Sequence, residues 1–165
     1  MEQAFWNAFW LFLGIVAGAL VQHALNALVK HSQRKNAIAV LKTEITINLQ
    51  ALEDFKKRIS GLRELISAQQ IDEQDLFVST AEFDYSLVSP LVNSGHFHAE
   101  LGPEFVKAYF SFMRFFNNEN AKLLNSMLRT EHEKGSSLKY LDWLFKRSSE
   151  LGNALQSLRD EKLKN

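Results

Sequence analysis

FWNAFWLFLGIVAGALVQHALNALV, residues 5–29, carries no Asp, Glu, Lys or Arg, and its part from Ala8 to Val21 is apolar without interruption. As a helix rising ~1.5 Å per residue, such a stretch covers the ~30 Å hydrocarbon core of a bilayer. Twelve of its residues are Leu, Ile, Val or Phe. Each contributes roughly −0.3 to −0.6 kcal/mol near the centre of an inserting helix, which outweighs a few uncharged polar groups. A cleaved signal peptide needs bases ahead of its apolar run. Here Glu2 precedes the run, and Lys30, Arg34, Lys35 and Lys42 follow it. The positive-inside rule therefore predicts one span over 1–29 with a short outer stub, and a cytoplasmic domain over 30–165. Phe5, Trp6, Phe9 and Trp10 suit the outer interface, where aromatic rings gather.

Within the span, Gly14, Gly18, Gln22 and Asn26 recur every four residues. They form one winding stripe on a 3.6-residue helix, with Asn7 a heptad above Gly14. Gly14-xxx-Gly18 lets helix backbones approach closely, and Gln22, His23 and Asn26 avoid lipid tails. With one span per chain, the partner is another copy or another protein. Two readings follow. In one, the stripe is a packing seam and the helix an anchor; in the other, several copies form a ring whose Asn7, Gln22 and Asn26 line a watered path with Lys30 at its cytoplasmic mouth.

Beyond the span, Ile38, Leu41, Ile45, Leu49, Leu52, Phe55, Ile59, Leu62 and Ile66 are spaced by three and four throughout. This is an amphipathic helix with heptad character, and no proline interrupts it before Gln70, so the span is expected to continue into the cytosol as one helix. Ser79-Thr80-Ala81-Glu82 has capping-box spacing and is expected to open a short helix; Ser89-Pro90 starts another turn, which Asn93-Ser94-Gly95 ends. Gly102-Pro103 begins a helix whose apolar face runs from Phe105 to Leu128. Gly135-Ser136-Ser137 is a turn into a last helix carrying Leu138, Leu141, Leu144, Phe145, Leu151, Leu155 and Leu158. The fold class is all-α: a membrane helix continuing into a long cytosolic helix that packs with shorter helices as an antiparallel bundle.

Residues 30–70 hold eight bases and four acids, whereas residues 71–100 hold six acids and no Lys or Arg. These blocks are complementary, so the acidic segment is expected to fold against the long helix. Lys56, Lys57, Arg58 and Arg63 form the densest basic group away from the span. It reads either as a solvated face or, repeated in an oligomer, as a site for a nucleotide or oligonucleotide. The 165 residues balance 19 Lys+Arg against 19 Asp+Glu, and there is no cysteine. That excludes disulfide, iron–sulfur, Cys-type zinc and thiol chemistry. His96-x-His98 with Glu100, and His132 between Glu131 and Glu133, lack the helical spacing of a metal site. With no P-loop, GxSxG or GxGxxG, the reading is a protein that is neither an enzyme nor a cofactor carrier.

The layout of one N-terminal span with a cytosolic helical domain, together with AEFDYSLVSPLVNSGHF (residues 81–97) and LGPEFVKAYFSFMRFFNNEN (residues 101–120), resembles the membrane effectors of the Hailong anti-phage defence system. The resemblance implies a homo-oligomeric channel, such as a tetramer, in the bacterial inner membrane. It implies gating by a nucleotide-derived signal, an oligodeoxyadenylate made by a partner nucleotidyltransferase. Carried onto this chain, the pore role falls on the stripe from Asn7 to Lys30, and ligand contact on Lys56, Lys57, Arg58 and Arg63. The alternative is a membrane-tethered binding or adaptor module whose span conducts nothing.

Overall fold

The computed structural model describes residues 2–88 and 96–162. Among them lie four α-helices and no strand: α1 Glu2–Ser67, α2 His96–Phe115, α3 Asn118–Glu133 and α4 Ser137–Lys162, with a single 3-10 turn at Glu73–Asp75. The all-α class and the long N-terminal helix are as the hydrophobic periodicity requires. The chain divides into two compact units, one up to Ala39 and the other from Val40 onward, and α1 contributes to both.

In the first unit, every residue from Phe9 to Asn36 is exposed. Leu11, Leu20 and Leu28 each leave about two thirds of their surface uncovered. The helix is long and apolar enough to cross a membrane. In water such a face would carry the full cost of apolar hydration, ~25 cal/mol per Å². Near its start Trp6, Phe9 and Trp10 touch edge to face, with ring centroids 5.9 Å apart in each adjacent pair.

In the second unit, α1 buries Leu41, Ile45, Leu52, Phe55, Ile59 and Leu62. Ile38, Leu49 and Ile66 are only half-buried. The heptad position between Ile45 and Leu52 belongs instead to Asn48, which is 1% exposed, and Glu44 beside it is equally covered. α4 packs against α2 and α3. It adds Tyr140, Leu141, Leu144, Leu151 and Leu155 to the core.

The acidic segment does return to α1, but apolar insertion does most of the work. Leu76, Val78, Phe83 and Val88 are buried. Phe83 stacks on Phe116 at 4.2 Å and meets Phe55 and Phe112 edge to face at 6.1 and 5.8 Å. Burying one such ring is worth about 2 kcal/mol, more than an exposed ion pair. Between the two charge blocks one pair forms among the described residues, Arg58 with Glu82.

Two expected boundaries are corrected. Ser79 to Glu82 does not open a helix. Ala81 N–H donates to Ser79 Oγ at 3.2 Å and Phe83 N–H to Thr80 O at 3.2 Å, which makes a tight turn. Glu82 is engaged by Arg58 instead of reaching back to the Ser79 amide, so the capping box is never completed. Second, the helix expected from Gly102-Pro103 to Leu128 is two helices. Asn117 caps α3 by accepting from Asn120 N–H at 2.7 Å, while Asn120 Nδ2 donates to Phe115 O at 2.6 Å and closes the end of α2. The predicted start at Gly102-Pro103 is present as a kink, Gly102 lying at φ 77°, ψ 161° inside α2. The turn at Gly135 is also as expected. With φ +70° it donates to His132 O, and Ser136 N–H to Glu131 O, closing α3. Ser89-Pro90 and Asn93-Ser94-Gly95 lie outside the described residues.

Candidate functional site

The polar stripe of the span is built by helical periodicity alone. Asn7, Gly14, Gly18, Gln22, Asn26 and Lys30 are all exposed on α1. A Cβ added at Gly14 or Gly18 would meet nothing within 4 Å. The surface is therefore open to close approach by another backbone, and its carboxamides are free to meet water or a partner. Small residues and amides on one stripe are what a helix–helix seam in lipid uses, because close packing and interhelical hydrogen bonds replace the missing hydrophobic drive.

Around the basic face, all four cations singled out from the sequence are ion-paired within the chain. Lys56 pairs with Glu53 one turn back, Lys57 with Asp54 at 3.1 Å, Arg58 with Glu82, and Arg63 with Asp142 on α4 at 2.7 Å. The Lys57 hydrogen bond holds the Asp54 carboxyl below its ordinary range. The side chains fan around α1, Arg58 meeting the loop at Glu82 and Arg63 meeting α4 at Asp142, and their charges are largely met. An anion binding there would have to displace carboxylates that cost little to displace, since exposed pairs contribute about 0–1 kcal/mol each.

Three buried polar anchors lie outside the patterns read from the sequence. Glu44 accepts from the Tyr109 hydroxyl and, at 2.8 Å, from Val88 N–H, joining α1 to α2 and to the end of the loop. Burial pushes its carboxyl up, opposed by these hydrogen bonds. The Tyr109 hydroxyl is raised too, by burial and then by the carboxylate beside it, so it stays a donor through the physiological range. Asn48 clamps Asp84 by donating to its carbonyl at 2.7 Å and accepting from its N–H at 2.9 Å. Asn125 does the same to Val78 from α3, at 2.9 and 2.7 Å. These amides supply to an irregular segment the pairing that a neighbouring strand would otherwise give. Their one signal was an Asn standing where the heptad wants an apolar residue.

Among the described residues no three His, Asp or Glu gather as metal ligands. His132 Nδ1 is buried without a hydrogen-bond partner among them. No family model, curated protein or solved structure matches this chain.

Proposed function

We propose that the chain is a single-span effector of the bacterial inner membrane whose copies assemble into a channel gated by a nucleotide-class ligand on the folded unit, in the manner of the Hailong membrane effectors it resembles. The observation that carries this reading is the exposed stripe Gly14, Gly18, Gln22 and Asn26 on a helix that, from Ala8 to Val29, is otherwise apolar but for His23. An anchor needs only the apolar faces. A ring of helices needs small residues for approach and polar groups toward its axis. Lys30, four residues beyond Asn26, continues the stripe toward the end assigned to the cytoplasm, and the charge bias of Arg34, Lys35 and Lys42 supports that assignment. Gating requires the ligand to bind one arrangement of the assembly better than the other, because equal affinity shifts no equilibrium. α1 is the element through which the span would feel that difference.

The test is membrane potential, read with a voltage-sensitive dye in bacteria expressing the intact chain or the Gln22→Leu/Asn26→Leu variant, with and without the partner nucleotidyltransferase. Depolarisation by the intact chain under either condition, lost in the variant, is the expected result. A chain that never depolarises the membrane, or a variant that does so equally, supports the tethered adaptor in place of a channel.

A further inference from the structure

Apart from the span and the paired basic face, the folded unit contains a groove of about 770 Å³ between the loop around Thr80 and α3. One wall is an α3 face carrying Lys122, Ser126, Arg129 and Glu133, and the other carries Phe77 and Thr80. Four features of this groove converge on one ligand chemistry.

First, Lys122 and Arg129 have no ion-pair partner among the described residues, unlike Lys56, Lys57, Arg58 and Arg63 of α1. Seven residues apart on one helix face, they stand about 10 Å apart along the axis. That separation suits two anionic groups of one ligand. Second, Glu133 closes the far end with a carboxylate, which confines an anion to the stretch between the two cations. Third, Thr80 is 3% exposed, yet its Oγ1 has no hydrogen-bond partner among the described residues. A buried hydroxyl in that state is costly, so the groove wall gains a hydrogen bond if Thr80 turns its hydroxyl out toward a ligand oxygen. Fourth, Phe77 is 55% exposed although its neighbours Leu76 and Val78 are fully covered. The Asn125 clamp on Val78 fixes that alternation. The ring is thus held at the groove with about half of its surface uncovered, available for a planar base to stack on.

We infer that this groove binds a nucleotide, its phosphates on Lys122 and Arg129 and its base on Phe77, with the Thr80 hydroxyl turning to meet it. The inference supplies a ligand site for the gating reading but holds equally if the span only anchors.

The test is fluorescence anisotropy of fluorescently labelled ATP on the full chain in detergent micelles, with unlabelled ATP and inorganic tripolyphosphate as competitors. The variants are Lys122→Glu/Arg129→Glu, Phe77→Ala and Lys57→Glu/Arg58→Glu. All of these side chains are exposed, and circular dichroism confirms that each variant is folded. Saturable binding by the intact chain is expected, weakened at least ~10-fold by reversal at Lys122 and Arg129, because charge-assisted hydrogen bonds are lost. Phe77→Ala should weaken ATP roughly 10-fold and leave tripolyphosphate competition unchanged, since only the base stacks. Lys57→Glu/Arg58→Glu reads the alternative site on α1, and its loss should be smaller than that of Lys122→Glu/Arg129→Glu. No binding at millimolar ATP, unchanged affinity after reversal at Lys122 and Arg129, or equal loss at Lys57 and Arg58 overturns the site; an unchanged ATP affinity in Phe77→Ala overturns the base contact. Conductance is not read in this assay, so a channel without this site fails here and still depolarises cells.

Discussion

Gly152 lies so close to Leu52 that a Cβ on the glycine would stand 2.2 Å from Leu52 Cδ2, a separation no pair of carbons tolerates. The contact brings α4 against α1 at the middle of the core. In a helix interior Ala is ordinarily better than Gly by about 1 kcal/mol. Here the added methyl must push Leu52, which is 2% exposed and has little room to turn. Gly152→Ala should therefore destabilise the fold by about 1–3 kcal/mol, the usual cost of overpacking. Leu52→Ala alone leaves a cavity, but combined with Gly152→Ala it should lose less than the sum of the two. Chemical unfolding of the full chain in detergent, run as a double-mutant cycle, measures this coupling. Strict additivity would mean the two helices do not meet at this point.

Glu44 gives the folded unit a pH dependence with a definite sign. Burial raises its carboxyl above the ordinary 4.5, so the folded state keeps a proton where the unfolded state has lost it. Stability from this group is complete below that ordinary value and falls as pH rises through the folded one. Glu44→Gln should flatten the stability profile from pH 4.5 upward, while the amide oxygen still accepts from Tyr109. Glu44→Ala should cost roughly 3 kcal/mol near pH 4.5 and less as pH rises, because the Tyr109 hydroxyl and Val88 N–H lose their acceptor in the core while the parent loses the Glu44 contribution. Thermal unfolding of the three proteins across pH 4–8 separates these effects. A Gln variant retaining the slope of the parent would assign it to another group.

The two amide clamps should respond differently to the same substitution. Asn125 bonds both polar groups of Val78 inside the core, so Asn125→Leu strands a buried N–H and C=O and should cost about 2–4 kcal/mol. Asn48 holds Asp84, whose backbone bonds are only part-buried and can turn to water. Leucine at 48 also completes the heptad stripe from Leu41 to Leu62, so Asn48→Leu should cost under about 1 kcal/mol. Its effect should appear as faster proteolysis in the loop between α1 and α2. Limited proteolysis followed by mass mapping, alongside unfolding curves, checks both statements.

The contrast between these residues shows what could be read in advance. The exposed apolar N-terminal helix, its long amphipathic continuation and the Gly135 turn are legible because each depends on local composition or on a period along one helix. Leu41, Ile45, Leu52, Phe55, Ile59 and Leu62 were picked from spacing alone and are buried. Glu44 and Asn48 were not, since a polar residue on an apolar stripe is explained only by partners 36 to 65 residues away. The same non-locality misplaced the turn at Ser79: a capping box is a local rule, and the Arg58–Glu82 pair together with the burial of Phe83 overrode it. Among candidate ligand residues, density along the sequence pointed to Lys56, Lys57, Arg58 and Arg63. Density cannot register which cations the fold leaves without acids, and Lys122 and Arg129 are sparse in sequence but have no ion-pair partner among the described residues.

The seam proposed for the span makes a prediction that does not depend on conduction. If copies meet along Gly14 and Gly18, then Gly14→Ile/Gly18→Ile places branched side chains where backbones must approach, and the loss of close packing should dissociate the assembly. The same helix offers its own control: Leu20 is two residues from Gly18, about 200° around the helix, and 66% exposed. Leu20→Ile changes shape on the lipid side and should leave assembly intact. Mass measured by light scattering in detergent, with chemical cross-linking in membranes as a second readout, distinguishes the variants. An oligomer in the parent and in Leu20→Ile that falls to monomer in Gly14→Ile/Gly18→Ile locates the interface. Equal masses in all three would move the contact to another face and leave Gln22 and Asn26 with no axis to line.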